Sequence, residues 1–132
     1  MSHVIKRATC QQALAALDDR NSVLIDVRCS EEYPLYGQIV GAYLIPWKLI
    51  RGDVLVDNPH FHHELKKVVS NDKAMDGFKV YFICGSGRRS HDVAECVLDM
   101  LRGYGCEVYN VVGGMDEWVC SGLPISPIAS SV

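Results

Sequence analysis

The sequence predicts an α/β fold in which an open, five-stranded, mainly parallel sheet carries helices on both faces. Short apolar runs rich in β-branched and aromatic residues alternate with segments of helical periodicity, and this alternation is typical of a parallel sheet wrapped by helices. The chain has 132 residues, of which 48% are hydrophobic and 22% are charged. This length and composition suit one globular core, so we expect a single domain over residues 1–132.

A short edge strand, a helix and a buried strand are predicted in the first third of the chain. Residues 4–5 are apolar and predict the edge strand. Thr9 and Gln12 have the spacing of a capping box, which predicts that a helix begins after Thr9. Residues 22–27 are mostly apolar and predict a strand buried on both faces. Ser30, followed by two glutamates, predicts the start of a short helical turn.

One strand and one helix are predicted in the middle of the chain. Residues 42–45 predict the third strand, which Pro46 ends. A connecting loop is expected from there to Asn58 and Pro59, which are residue types preferred at a helix cap and at the first helical position. We expect this helix to continue to about residue 70 and residues 71–77 to form a polar link.

The last part of the chain predicts two further strands, each followed by a helix. Residues 78–83 predict a strand, and residues 90–102 follow as an amphipathic helix with an apolar stripe. Residues 107–112 predict the last strand, and two glycines then precede a short helix that contains Trp118. The tail from Leu123 contains two prolines and is expected to be irregular.

Cys84 stands directly after the strand predicted over 78–83 and directly before a loop of glycines and arginines. The loop and the start of its helix consist of Gly85, Ser86, Gly87, Arg88, Arg89 and Ser90. Glycines allow successive main-chain N–H groups to converge on an anion. The helix dipole and the arginines favour the thiolate, which is the nucleophilic form of cysteine. This pattern predicts a cysteine that forms a covalent bond to sulfur or phosphorus, whereas a cysteine buried only for packing would not require these neighbours.

Charge and composition disfavour several kinds of partner and site. The net charge is −3 with acidic and basic residues interspersed, which argues against nucleic acid or a membrane surface as the main partner. The amino terminus lacks the apolar stretch of a signal peptide, so we expect a cytoplasmic protein. The six cysteines include no Cys-x-x-Cys pair, and we expect reduced thiols.

Three histidines lie close together at the start of the helix predicted after Pro59. His60, His62 and His63 stand at relative positions i, i+2 and i+3, whereas a chelating pair on a helix is spaced i, i+4. A partly solvated helix start explains them better than a metal site. We therefore expect neither a metal ion nor a cofactor.

Four motifs of this sequence, taken together, resemble those of rhodanese domains. They are residues 24–28 (LIDVR) with Glu32 and Tyr33, residues 37–42 (GQIVGA), residues 84–90 (CGSGRRS) and residues 112–118 (VGGMDEW). The match spans nearly the whole chain. Gln38 departs from the family pattern, which usually has histidine at this position, but that position is usually structural.

The resemblance implies a single-domain thiosulfate sulfurtransferase that acts on a small anionic sulfur donor. In such an enzyme a cysteine thiolate takes the outer sulfur of a donor such as thiosulfate, becomes a persulfide, and passes the sulfur to cyanide, a thiol or a protein thiol. By position Cys84 carries the sulfur and the main-chain amides of residues 85–90 stabilise its charge. Arg88 and Arg89 bind the anionic donor. Two further positions match residues that support the loop by ion pairing: Asp26 and Arg28.

Two other functions stay open for a domain with this resemblance. Some rhodanese relatives are cysteine phosphatases, in which five residues separate the cysteine from an arginine and leave room for phosphate. Here four residues separate Cys84 from Arg89 and three separate it from Arg88, so the loop resembles that of sulfurtransferases. A persulfide carrier that serves one dedicated protein partner would use the same chemistry and differ only in its acceptor. The nucleophile and both arginines argue against a non-catalytic binding module.

Cys29 provides a further hypothesis because it lies three residues after Asp26. The rhodanese strand order would make the strands that end near Asp26 and Cys84 neighbours, so Cys29 lies at the same edge of the sheet as Cys84. Its thiol would attack the Cys84 persulfide, release sulfide and form a disulfide if the two α-carbons come within about 7 Å. The alternative is that Cys29 only packs in the first turn of its helix.

Overall fold

The computed structural model describes residues 4–71 and 77–126. Residues 72–76 of the expected polar link and the tail beyond residue 126 lie outside this range. Along the chain the elements are β1 (Lys6–Ala8), α1 (Cys10–Ala16), β2 (Ser22–Asp26), a 3-10 turn (Ser30–Glu32), α2 (Tyr33–Tyr36), β3 (Tyr43–Leu44), β4 (Lys48–Arg51), β5 (Val54–Asp57), α3 (Phe61–Asn71), β6 (Lys79–Ile83), α4 (Arg88–Gly103), β7 (Glu107–Val111) and α5 (Gly114–Cys120). Among the helices in these two ranges, none has the length and apolar character needed to cross a membrane.

Five strands form one sheet in the order β1-β7-β6-β2-β3, and each neighbouring pair in this order is parallel. The prediction of an open, five-stranded parallel sheet is therefore confirmed. β6 is the central strand, and Cys84 directly follows its last residue. The thiol consequently lies at the middle of the carboxyl edge, which is where open α/β sheets bind their ligands.

Helices cover both faces of the sheet, as predicted. On β6, Val80 and Phe82 point to one face while Tyr81 and Ile83 point to the other, because side chains alternate along a strand. The first face packs against α3 and α4, and the second packs against α1 and α5. Both sets of β6 side chains are buried, which explains why the strand is apolar throughout rather than alternating.

Several element boundaries differ from the predicted ones, and α3, for example, begins at Phe61 rather than at Pro59. β1 covers Lys6–Ala8 rather than residues 4–5, because an edge strand that pairs only with β7 needs little apolar surface. The third strand shortens to Tyr43–Leu44, which pairs with β2 alone and is exposed at the opposite edge. α4 begins at Arg88, two residues earlier than predicted, because Gly87 adopts a φ of 97° and turns the chain directly into the helix.

The prediction that a connecting loop follows Pro46 is wrong, because this segment contains a hairpin. β4 and β5 pair antiparallel over their full lengths, and only Gly52 and Asp53 connect them. Gly52 has a φ of 64°, which suits a two-residue hairpin turn. Apolar residues on both sides of a Gly-Asp pair were the signal in the sequence.

Candidate active site

The Cys84 thiol is enclosed by the loop that follows it. Its side chain is fully buried, with 0% of its surface exposed. The main-chain N–H groups of Gly87 and Ser90 both donate to its Sγ atom, each at 3.2 Å. These groups direct the positive ends of their dipoles at the sulfur, so the loop is arranged to stabilise a negative charge there.

Gly87 allows the loop to close tightly around the sulfur. Its φ of 97° lies in the left-handed region, which residues with a Cβ atom rarely adopt. A Cβ atom at this position would lie 3.0 Å from the nitrogen of Gly113 and 3.3 Å from the carbonyl oxygen of Val111. The loop therefore packs directly on the end of β7. The preceding residue, Ser86, is exposed at the tip of the loop.

The start of α5 fixes the other side of the loop. The N–H of Met115 donates to the Cys84 carbonyl oxygen at 2.8 Å, and the N–H of Asp116 donates to the Gly85 carbonyl oxygen at 2.9 Å. Gly114 has a φ of 56°, and a Cβ atom there would collide with the Cys84 carbonyl oxygen. The paired glycines before α5 thus allow this helix to approach the loop that follows Cys84.

Asn110 in β7 holds two residues of the loop and was missed by the sequence analysis. Its Nδ2 donates to the Gly87 carbonyl oxygen at 3.0 Å, and its Oδ1 accepts from the Ser90 hydroxyl at 2.5 Å. The same two residues supply the N–H groups that contact Cys84. The signal was an asparagine inside a buried strand, where this residue type is disfavoured without a polar partner.

The two arginines of the loop have different surroundings. The Arg89 guanidinium donates to both carboxylate oxygens of Glu32, at 2.6 and 2.7 Å. These bonds hold the pKa of Glu32 below its usual value. Arg88 is exposed, and no hydrogen bond or ion pair joins it to another residue in the described ranges. Both arginines were predicted to bind the donor. Of the two, Arg88 is the one whose guanidinium is not engaged by a carboxylate in the described ranges.

Asp26 and Arg28 form a buried ion pair at the carboxyl end of β2. Both side chains are almost completely buried, and the Arg28 Nη2 lies 2.8 Å from the Asp26 Oδ2. Arg28 also donates to the Gly37 carbonyl oxygen at 2.8 Å, so the pair connects the end of β2 to the chain after α2. The next residue, Gln38, bonds through its main chain to Ser126, which is consistent with the structural role expected for this position.

Cys29 is buried beside Glu32. Burial, together with the carboxylate of Glu32, raises the pKa of the Cys29 thiol, and the main-chain N–H of Cys29 donates to the Glu32 Oε2 at 2.9 Å. A thiol with a raised pKa is a poor nucleophile near neutral pH. These surroundings favour the interpretation of Cys29 as a packing residue, and its disulfide with Cys84 stays a prediction.

Comparison with known proteins decides the family. The sequence profile of the Rhodanese-like domain family matches residues 9–120, which contain the loop, Asp26, Arg28 and Asn110. The chain belongs to the rhodanese-like domain family. No curated protein sequence matches this rhodanese-like chain.

Solved structures share the rhodanese-like fold. Rv0390 from M. tuberculosis is 26% identical, with a TM-score of 0.65 and coverage of 90% of this chain and 95% of that chain. The polysulfide-sulfur transferase homodimer of Wolinella succinogenes is 24% identical, with a TM-score of 0.59 and coverage of 91% and 77%. A Rhodopseudomonas palustris protein named as a possible tyrosine phosphatase is 24% identical, with a TM-score of 0.61 and coverage of 92% and 85%. The last two likenesses concern the fold alone, and family membership supports sulfur transfer as the general chemistry.

Proposed function

We propose that this rhodanese-like protein is a sulfurtransferase that moves a sulfane sulfur from an anionic donor such as thiosulfate to cyanide or a thiol. The observation that carries the proposal is the pair of main-chain N–H groups, from Gly87 and Ser90, that converge on the Cys84 Sγ atom at 3.2 Å. A persulfide bears its negative charge on sulfur, and converging amides stabilise such a charge.

The proposed reaction has two steps that both break a sulfur–sulfur bond. The Cys84 thiolate attacks the outer sulfur of thiosulfate, and sulfite leaves with the electron pair of the broken bond. The acceptor, cyanide or a thiolate, then attacks the outer sulfur of the persulfide, and Cys84 leaves as the thiolate. The nucleophiles supply all the electrons, so neither step requires a metal ion or a cofactor.

Phosphate-ester hydrolysis fits the site less well. A cysteine phosphatase needs an arginine of the loop to hold the phosphate oxygens. Four residues separate Cys84 from Arg89, and both carboxylate oxygens of Glu32 already occupy the Arg89 guanidinium. Arg88, the other arginine of the loop, is separated from Cys84 by only three residues. The short spacing of both arginines therefore supports sulfur transfer over phosphate chemistry.

The function is tested by intact-mass measurement of the protein after incubation with thiosulfate. We expect the protein to gain the mass of one sulfur atom and to lose it again when cyanide is added, with thiocyanate as the product. A stoichiometric gain is expected because the loop holds one nucleophile. If neither thiosulfate, polysulfide nor mercaptopyruvate adds sulfur, and an aryl phosphate is turned over instead, the proposal is wrong.

The two arginines are predicted to affect the reaction in different ways. Arg88→Ala should lower kcat/KM for thiosulfate by about 10- to 100-fold without loss of stability, because it removes a charge-assisted contact to the donor. Arg89→Ala should lower both the thermal midpoint and the activity with every donor, because it leaves Glu32 unpaired beside the loop. Steady-state kinetics with thiosulfate and thermal unfolding measure the two effects.

Arg102→Ala provides a matched control for these variants, since Arg102 is a partly exposed arginine at the far end of α4. It should change neither quantity. Full activity of Arg88→Ala would mean that the main-chain amides alone bind the donor.

A further inference from the structure

A cleft of about 390 Å³ opens beside the loop of residues 85–90, here called the catalytic loop, on the side of β1 and β7. Its walls include Ser86 and Gly87 of the loop, Asn110 of β7, and two side chains that can carry positive charge, Arg7 and His91. None of the residues that line the cleft is acidic. The chain has a net charge of −3, so this is a local exception to the charge of the protein.

Strand register directs Arg7 toward the catalytic loop. Arg7 in β1 stands opposite Asn110 in β7, and residues paired in register extend from the same face of a sheet. Asn110 uses that face to contact Gly87. Arg7 is exposed, and it has no hydrogen bond or ion pair with any residue in the parts of the chain that the structure describes. Its guanidinium is therefore free to bind an anion in the cleft.

His91 lines the cleft from the first turn of α4. Its side chain is exposed, and its Nδ1 lies 3.8 Å from the Glu95 carboxylate, which is too far for a good hydrogen bond. His91 lines this cleft and Glu95 does not, although the two side chains also line a neighbouring cavity together.

The cleft lies next to the part of the loop that contacts the Cys84 Sγ atom, to which the transferred sulfur is bonded in the persulfide. Gly87 forms part of its wall and also donates its N–H to the Cys84 Sγ atom at 3.2 Å. A ligand whose sulfur reaches Cys84 can therefore extend past the exposed Ser86 toward Arg7. Thiosulfate is too compact to use this space, because its charged oxygens are bonded to the atom next to the transferred sulfur. The cleft instead suits a ligand that carries its negative charge several bonds from its sulfur.

We propose that this cleft binds the carboxylate of the sulfur acceptor, and that the acceptor is a low-molecular-weight thiol with a carboxylate group. The proposal rests on the function proposed above. The acceptor thiolate attacks the outer sulfur of the Cys84 persulfide, a new sulfur–sulfur bond forms, and the old one breaks so that Cys84 leaves as the thiolate. Arg7 makes a charge-assisted, forked contact to the carboxylate, and His91 supports it from the other side.

The test uses two thiols that differ only in their charged group. The protein is first loaded with sulfur from thiosulfate and freed of donor. It is then mixed with 3-mercaptopropionate or with 3-mercaptopropan-1-ol, and the loss of persulfide is followed by rapid quenching and intact mass. Arg7→Gln should lower the rate constant with 3-mercaptopropionate by about 10-fold and that with the uncharged thiol by less than about 2-fold. His91→Gln should lower the first rate constant by about 3-fold.

Arg20→Gln serves as the matched control. Arg20 is also exposed and also lines a cavity, but it precedes β2 and lies at the opposite end of the sheet from the catalytic loop. This variant should leave both rate constants unchanged. Arg7→Gln should load sulfur from thiosulfate as the unmodified protein does.

Two outcomes separate this inference from the proposed function. If the loaded Arg7→Gln protein reacts with both thiols as the unmodified protein does, or is slowed equally with both, the cleft does not bind the carboxylate and only the inference is overturned. If the unmodified protein cannot be loaded with sulfur at all, the proposed function is wrong and the inference falls with it.

Discussion

Cys84→Ser should abolish sulfur uptake from thiosulfate and leave the fold intact. The hydroxyl stays protonated near neutral pH and is a much weaker nucleophile than a thiolate, so we expect the rate of uptake to fall by at least about 10³-fold. The substitution is nearly isosteric in a fully buried position, which should preserve the secondary structure. Intact mass after incubation with thiosulfate measures uptake, and circular dichroism measures the fold.

Two other cysteines provide controls for this variant. Cys29→Ser replaces a buried thiol near the loop and Cys96→Ser replaces an exposed thiol on α4, and both proteins should still gain one sulfur. Sulfur uptake by Cys84→Ser would identify another cysteine as the carrier. Non-reducing peptide mapping of the loaded, acceptor-free protein also tests the Cys29 hypothesis. A linked Cys29–Cys84 peptide would support it, and Cys84 found only as persulfide would leave Cys29 a packing residue.

Asp26→Asn should cause the largest loss of stability among single substitutions near the site. It leaves the Arg28 guanidinium buried, with 1% of its side chain exposed, and without its counter-charge. Removal of one partner from a buried ion pair typically costs about 3–5 kcal/mol of unfolding free energy. Urea unfolding followed by tryptophan fluorescence measures the change, because Trp118 is fully buried in the fold.

A surface ion pair of the same protein offers the control for this measurement. Asp99 pairs with Arg102 on α4, and 98% of the Asp99 side chain is exposed, so Asp99→Asn should leave the urea midpoint unchanged. The double variant Asp26→Asn with Arg28→Met should recover part of the lost stability, because it no longer buries an unpaired charge. Equal urea midpoints for Asp26→Asn and the unmodified protein would show that the pair does not support the fold.

The sheet could be predicted from the sequence because its elements have distinct local patterns. β6 is apolar at successive positions, whereas α4 buries Val93, Val97 and Leu101 at a spacing of four residues. These periods are properties of neighbouring residues and need no knowledge of distant partners. The hairpin of β4 and β5 was missed although apolar residues flank its Gly-Asp turn, because its two strands are only four residues long and their side chains do not belong to the core.

The candidate nucleophile and its surroundings could be located in the sequence for the same reason, since Cys84 and the amides that contact it lie within one short segment. The residues from other parts of the chain that contact this segment could not be predicted. Glu32 is 57 residues from Arg89, and Asn110 is 20 residues from Ser90. Only the folded sheet brings these residues together. For this reason both arginines were predicted to bind the donor, and no role was predicted for Asn110.

The parallel strand order also affects how fast the site forms during folding. The paired strands bring together residues that are far apart in the sequence, such as Lys6 with Tyr109 and Val23 with Val80. Long chain segments must therefore be ordered, at a cost in conformational entropy, before these strand pairs can stabilise the fold. Until β7 docks beside β6, Asn110 cannot hold the loop and the Cys84 thiol is open to any oxidant in solution. Refolding and purification should therefore proceed under reducing conditions, because the nascent chain has six thiols and no finished fold to shelter them.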